Sequence, residues 1–427
     1  MTTQQNEAAC LLEKGALYTR REGLLWEGRD LVFAGFKQGV FSLYYGDAPI
    51  YHFDLEGRWQ RAYLRDRHFI RRLDGPIQEV DRVRDGANLV MRRRTLEPAE
   101  ARRLDEEIRG VAETLLADLA GGRRLDPPDD KARPIEDAEL REFLGRVASW
   151  DAAAWEDFEA RYRRAYRPQA FIPPDCPNAL VLQATVGDRD GRGFAGGAAR
   201  DHEARNPEEF AAHAREIAAL IGGRLAQTRT AFLAGSDVLR LPGGDVTAYL
   251  ESIERELRDE DGPAIDDVHA FLDEFQDPVL NLEGLREARR GRLARIALGV
   301  ESGAPEVRRA YGKDWCDADL HAFAAAAKDA GIGLSVLTLV GAGGRERRSE
   351  HVEGTRRLIE SLLLSRGDLV FLMDERELAD PAGAAVGFEP LDEAEWTQQL
   401  AELRRGLAGL RERGVKVVPY SMVKQSG

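Results

Sequence analysis

The chain has 427 residues with a net charge of −14, 43% hydrophobic and 32% charged residues, an ordinary globular balance at a length that buries a core without staples, which excludes a disulfide miniprotein or a metal-nucleated finger. No run approaches about 18 consecutive apolar residues, and the opening MTTQQNEAACLLEKG lacks an apolar signal core, so no membrane and a cytoplasmic location are expected. The acidic excess argues against a nucleic-acid partner.

From Asp30 to Leu96 the pattern predicts strands. DLVFAGF, VFSLYY, PIYHF, WQRAYL and ANLVMR are short and rich in aromatic or β-branched residues. Gly46-Asp47, Gly57, Asp74-Gly75-Pro76 and Asp85-Gly86 punctuate them as turns. Strands joined by short turns imply an antiparallel meander. Trp59, Tyr51 and Phe53 are assigned to its core, and the basic run Arg92 to Arg94 to a solvated strand or turn. Next, Leu104, Ile108, Val111, Leu115 and Leu119 recur at helical spacing, and Gly121-Gly122 ends that helix. Residues 1–120 therefore read as a β-meander domain plus helix. Residues 121–134, with three prolines, read as a linker, and 135–168 as connecting helices.

From Ala179 short apolar runs alternate with amphipathic helices. The runs are ALVLQATV (179–186), TAFLAGS (230–236), IDDVHAFL (265–272), IALGVE (296–301), LSVLTLV (334–340) and DLVFLM (368–373). Several are apolar on both faces, as strands of a covered parallel sheet must be. Asn206-Pro207-Glu208-Glu209 predicts a capped helix start, and Gly331 stops a helix beginning at Asp317. Six such units in series fit a partial (β/α) barrel or a doubly wound sheet. Residues 169–378 form this domain, and 379–427 add a helix, stopped by Gly414, and a short terminal strand, VKVVPY.

Ligands of such sheets sit at the strand C-terminal ends. After the first run comes a glycine-rich loop from Gly187 to Gly197. It is no P-loop, because Gly-Lys-Ser/Thr is absent. It is no calcium loop either, because Ala199 stands where a glutamate is needed. Asp188 and Arg192, four residues apart, are expected to pair across it. The second run leads to Asp237, the fourth to Glu301-Ser302-Gly303, and the fifth to Gly341-Ala342-Gly343-Gly344. Carboxylates there suit ribose hydroxyls or an ammonium, and glycines admit a flat ring against backbone. The competing reading makes Glu301 a helix cap. His202, His269 and His351 show no metal spacing and read as structural.

FIPPDCPNALVLQATVG, FLAGSD, ALGVESGAPEVRRAYGK and LSVLTLVGAGGRERRSEHVEGTRRLIES together resemble the core of radical S-adenosylmethionine (radical SAM) proteins, over about 170–420. The resemblance implies an α/β fold, a partial six-unit barrel, with SAM and a [4Fe–4S] cluster at the strand C-termini. Glu301 would correspond to a SAM contact, and Gly341 and Gly343 would approach the adenosine. Gly187 and Gly196 bracket the cluster motif at the family spacing, but its three ligand positions hold Asp188, Arg192 and Ala195. Clusters are held by thiolates; alanine has no donor, and arginine is a permanent cation. Of the chain's cysteines, Cys10 lies in the N-terminal tail, Cys176 precedes the first strand, and Cys316 lies beyond the helix that follows Glu301. No [4Fe–4S] cluster is therefore expected.

Three functions remain open: a cluster-free pseudoenzyme that binds SAM or another adenosine-type small molecule through Glu301, Asp237, Gly341 and Gly343, or acts as a scaffold; a barrel enzyme with carboxylate chemistry at Asp188, Asp190, Asp237 or Glu301; and, last, a radical SAM enzyme with ligands elsewhere. The sequence identifies no protein partner.

Overall fold

The computed structural model describes residues 17–19, 31–37, 39–85, 88–122, 135–167, 172–187, 202–235, 237–259, 262–378 and 387–421. The expected Asp188–Arg192 pair and Asp190 lie outside these residues. The chain divides into two compact units, Met1–Tyr166 with Ala218–Gln227, and Arg167–Ile217 with Thr228–Ser426.

In the first unit, eight strands run in sequence order as one antiparallel sheet. They are β1 (Leu17–Thr19), β2 (Leu31–Lys37), β3 (Val40–Tyr45), β4 (Ile50–Asp54), β5 (Trp59–Leu64), β6 (Arg67–Arg71), β7 (Ile77–Asp85) and β8 (Asn88–Thr95). Strands β6 and β7, RHFIR and IQEVDRVRD, are two that the apolar pattern does not single out. Charged residues interrupt both, and Phe69, Arg71, Ile77, Glu79 and Val80 are the buried residues among 67–71 and 77–81. Tyr51, Phe53 and Trp59 are buried as expected. Arg92 and Arg94 sit exposed on β8, and Arg94 bonds Glu79 and Glu100. Helix α1 (Pro98–Ala120) buries Leu104, Ile108, Val111, Leu115 and Leu119, the stripe read from the sequence.

The second unit is built on a seven-stranded sheet. Its strands are β9 (Leu180–Gln183), β10 (Thr230–Ala234), β11 (Asp267–Leu272), β12 (Leu293–Glu301), β13 (Gly333–Val340), β14 (Leu369–Asp374) and β15 (Lys416–Tyr420). Each pairs in parallel with the next, with no reversal of order. A doubly wound sheet needs a point where the order reverses. Parallel crossovers are right-handed, so an unbroken order puts every crossover helix on one face. The fold is therefore α/β with a partial parallel barrel, as expected from the sequence. The terminal strand β15 joins it as the seventh strand. The first crossover helix shows how local chemistry supports this. Asn206 Oδ1 accepts from the N–H groups of Glu208 and Glu209, both at 3.0 Å, while Glu209 Oε2 accepts from Asn206 N at 2.9 Å. That reciprocal cap starts the helix Pro207–Ile221.

The other sheet face is filled by side chains. Phe232, Phe271, Ala297, Leu337 and Phe371, from five successive strands, form one buried cluster with Ala234, Leu339 and Met373. Every second residue of these strands contributes, as the two-residue repeat of a strand demands. Leu337 is fully buried within it. Leu337→Ala should lower the unfolding free energy by about 2–5 kcal/mol in urea titration. A loss below about 1 kcal/mol would place Leu337 outside a close-packed interior.

Candidate functional site

The C-terminal ends of the parallel strands gather acidic groups. Asp237 follows β10, Asp273 follows β11, Glu301 ends β12, and Glu375 follows β14. Asp237, Asp273 and Glu301 are each 4% exposed or less. A buried carboxylate is costly unless it is hydrogen-bonded or paired, and the structure supplies partners. Thr185 Oγ1 and His202 Nε2 each donate to Asp237, one to each oxygen, at 2.6 Å. Lys313 Nζ donates to Asp273 Oδ2 at 2.6 Å, both groups being buried. The Tyr311 hydroxyl donates to Glu375 Oε1. Burial pushes the Glu375 carboxyl above its usual range, and it also raises the Tyr311 phenol, helped by the Glu375 and Glu301 charges.

Glu301 is completely buried, and its backbone is left-handed, with φ of +52°. Only glycine adopts that region without cost. The strain comes with a break in register: Gly299 pairs with Leu337, but Glu301 pairs with Thr338, so β12 carries one extra residue. Such bulges re-aim a side chain at a strand end. Thr338 Oγ1 donates to the Glu301 carbonyl at 2.8 Å and holds it. The following helix, Pro305–Ala310, has Ala304 at its N-cap. Glu301 is therefore no helix cap, which corrects that reading; the strand ends four residues before the helix begins.

The residues after Glu301 serve packing. Ser302 Oγ bonds His351 Nδ1 at 2.8 Å, and His351 Nε2 donates to the Leu339 carbonyl at 2.9 Å. Thr355 Oγ1 accepts from Gly303 N at 2.8 Å. A Cβ on Gly303 would lie 2.3 Å from the Gly354 carbonyl oxygen, so a bare backbone is required there. Ser302, Gly303, His351 and Thr355 thus lock the helix Arg348–Ser361 against the fourth strand end.

The glycine loop is also engaged by the chain itself. Gly341 N donates to Gln399 Oε1 at 2.6 Å, and a Cβ on Gly341 would lie 2.6 Å from Glu375 Oε2. Gly343 has φ of +79° and faces Arg347, and Gly344 faces Glu389. The structure brings Glu301, Glu375 and Gly341 to one end of the sheet, with Glu375 lying where a ligand would meet Gly341. Asp273, Lys313, Tyr311 and Glu375 were missed by the sequence reading. For Asp273 and Glu375 the available signal was an acidic residue just after an apolar run, Asp273 after 265–272 and Asp374-Glu375 after 368–373.

A second group lies at the opposite end. His269 is not isolated: Asp175, Cys176 and His269 place three ligand-type atoms within 4.8 Å of one another. Burial, with the adjoining Asp175 carboxylate, pushes the Cys176 thiol up. Asp175 Oδ2 accepts from Ser335 Oγ at 2.8 Å, and Arg295 Nε stands 3.8 Å away. His269, Arg295 and Ser335 are each third in their strands, so Cys176 lies at the N-terminal ends, away from Glu301. Cys316 is exposed, at the start of the helix Asp317–Asp329.

No family model matches the chain, and no curated protein matches it. The chain is similar in fold to solved radical SAM enzymes. Coproporphyrinogen III oxidase from Escherichia coli is 14% identical with a TM-score of 0.39, over 62% of this chain and 57% of that one. HydG, a maturase of the [FeFe]-hydrogenase, is 12% identical with a TM-score of 0.37, over 75% and 71%. Elp3 of the archaeon Methanocaldococcus infernus is 12% identical with a TM-score of 0.33, over 56% of each chain. This chain thus spans just over half the length of the first of these. Among the described residues, no helix is long and apolar enough to cross a membrane.

The buried histidines give the second unit a pH signature. Burial lowers His351 from 6.5 to about 4. His213, whose Nε2 accepts from Gln183 N at 3.1 Å, is lowered to about 3 by burial and by Arg205. Both stay neutral when folded and take up a proton near 6.5 when unfolded. The unfolded state therefore binds more protons between pH 6.5 and 4, and stability falls as pH falls through that window. The slope is at most about 1.4 kcal/mol per pH unit for each group. Urea midpoints measured from pH 7 to 5 should fall in the wild type and fall less steeply in His351→Gln. Parallel profiles would remove His351 from this role.

Proposed function

We propose that this protein is a radical-SAM-like barrel that works without an iron–sulfur cluster, binding a small adenosine-type molecule such as SAM at the acidic ends of its parallel strands. The observation that carries the reading is Glu301: a fully buried carboxylate on strained backbone at a strand end. Strain of that kind costs about 1–3 kcal/mol and persists where the surroundings enforce it, often at ligand sites. The donor set speaks against a cluster, since Asp188, Arg192 and Ala195 stand where the family pattern places cysteines, and Cys176 lies at the other end of the strands. Clusters need thiolates. Carboxylates suit ribose hydroxyls and the positive charges of SAM. A ligand lying along Gly341 must move Glu375 aside, so binding is expected to be weak.

A second reading rests on Asp237, which holds His202 and Thr185. A buried carboxylate orienting an imidazole is the arrangement of a general base. In that case the bound molecule would be converted, and His202→Ala would abolish conversion while sparing binding.

Titration calorimetry with SAM and S-adenosylhomocysteine tests the first reading. Binding in the micromolar to millimolar range is expected, weakened at least about tenfold by Glu301→Gln, the loss of one charge-assisted hydrogen bond. Absence of heat with both ligands up to millimolar concentration, or equal binding by the variant, would leave a scaffold only.

A further inference from the structure

The N-terminal end of the sheet holds a group of side chains that neither reading uses. Asp175 and Cys176 lie just before β9, and His269 is third in β11. Their carboxylate oxygen, thiol sulfur and imidazole nitrogen all lie within 4.8 Å of one another. The Asp175 side chain is 1% exposed, and its Oδ1 is buried with no hydrogen-bond partner. His269 Nδ1 is buried and equally unsatisfied, 3.5 Å from Asp175 Oδ2. Leaving two such atoms dry costs free energy at each, and buried polar atoms are nearly always satisfied. Both are lone-pair donors, and both adjoin a sulfur.

We propose that Asp175, Cys176 and His269 bind a zinc ion. Sulfur, nitrogen and oxygen together are the donor set of zinc; magnesium and calcium take oxygen ligands. Bonds of about 2.0–2.3 Å put tetrahedral ligand atoms roughly 3.3–3.8 Å apart, so these side chains close by about an ångström on binding. A water fills the fourth position. The thiol loses its proton to solvent as the zinc–sulfur bond forms, and no electron moves. Ser335, donating to Asp175 Oδ2, fixes the carboxylate so that Oδ1 is left for the metal. The Arg295 guanidinium, 3.8 Å from Oδ2, is the local competitor. The ion would tie the segment ahead of β9 to β11, bracing this end of the sheet. It is independent of any ligand at the Glu301 end.

Cobalt(II) reports the site directly. The full-length protein, stripped with chelator and titrated with cobalt, should develop a thiolate-to-cobalt charge-transfer band that saturates at one equivalent and is erased by zinc. The double variant Cys10→Ser/Cys316→Ser, which leaves Cys176 as its only cysteine, should keep the band. Cys176→Ser should lose it, and His269→Gln should weaken cobalt binding at least tenfold. A wild type or double variant without the band at one equivalent would overturn the site. So would an unchanged band in Cys176→Ser. If Cys176→Ser does not fold, the double variant decides alone.

Discussion

A parallel strand cannot turn straight back into its neighbour, and each return passes over the same face of the sheet. In the second unit the strand order never reverses, so one face belongs to the helices and the other must be filled by the strands' own side chains. Everything polar on that filled face is pushed to its two ends. Phe232, Phe271, Leu337 and Phe371 take the middle. Glu301, Asp237 and Asp273 take one end, and Asp175, His269 and Arg295 the other. Both candidate sites follow from this division.

At each end a carboxylate is held by a partner from elsewhere in the chain. Asp237 has Thr185 and His202, Asp273 has Lys313, and Asp175 has Ser335. Buried ion pairs are weak sources of stability, but breaking one leaves an uncompensated charge. The arrangement therefore fixes geometry more than it adds to folding free energy. Glu301 departs from this economy, because its backbone is strained as well as buried. The bulge that produces the strain lies at the last residue before the sheet opens into loops, where a side chain can meet a ligand.

The fold was legible where periodicity was strong. The six apolar runs became β9 to β14, and the stripe from Leu104 to Leu119 is the buried face of α1. Strands β6 and β7 were not, because the charged residues spread through RHFIR and IQEVDRVRD break up the apolar pattern. Spacing alone left a doubly wound sheet open, since strand order is set by tertiary pairing. At the site, Glu301 and Asp237 were legible as carboxylates at strand ends. Glu375 and Asp273 were not, because their significance comes from Tyr311 and Lys313, which are 64 and 40 residues distant in sequence. The glycines were read as open backbone, yet Gln399 and Glu375, from later segments, fill the space beside Gly341. His269 reads as solitary in the sequence because its companions, Asp175 and Cys176, belong to another part of the chain.

The central claim is that the Glu301 end of the sheet works without an iron–sulfur cluster. Anaerobic reconstitution of the full-length chain with iron and sulfide, followed by iron and sulfide assay and an absorbance spectrum, tests it most directly. The account predicts only substoichiometric iron and no broad cluster absorbance. A near-stoichiometric four-iron, four-sulfide content with that absorbance would contradict it.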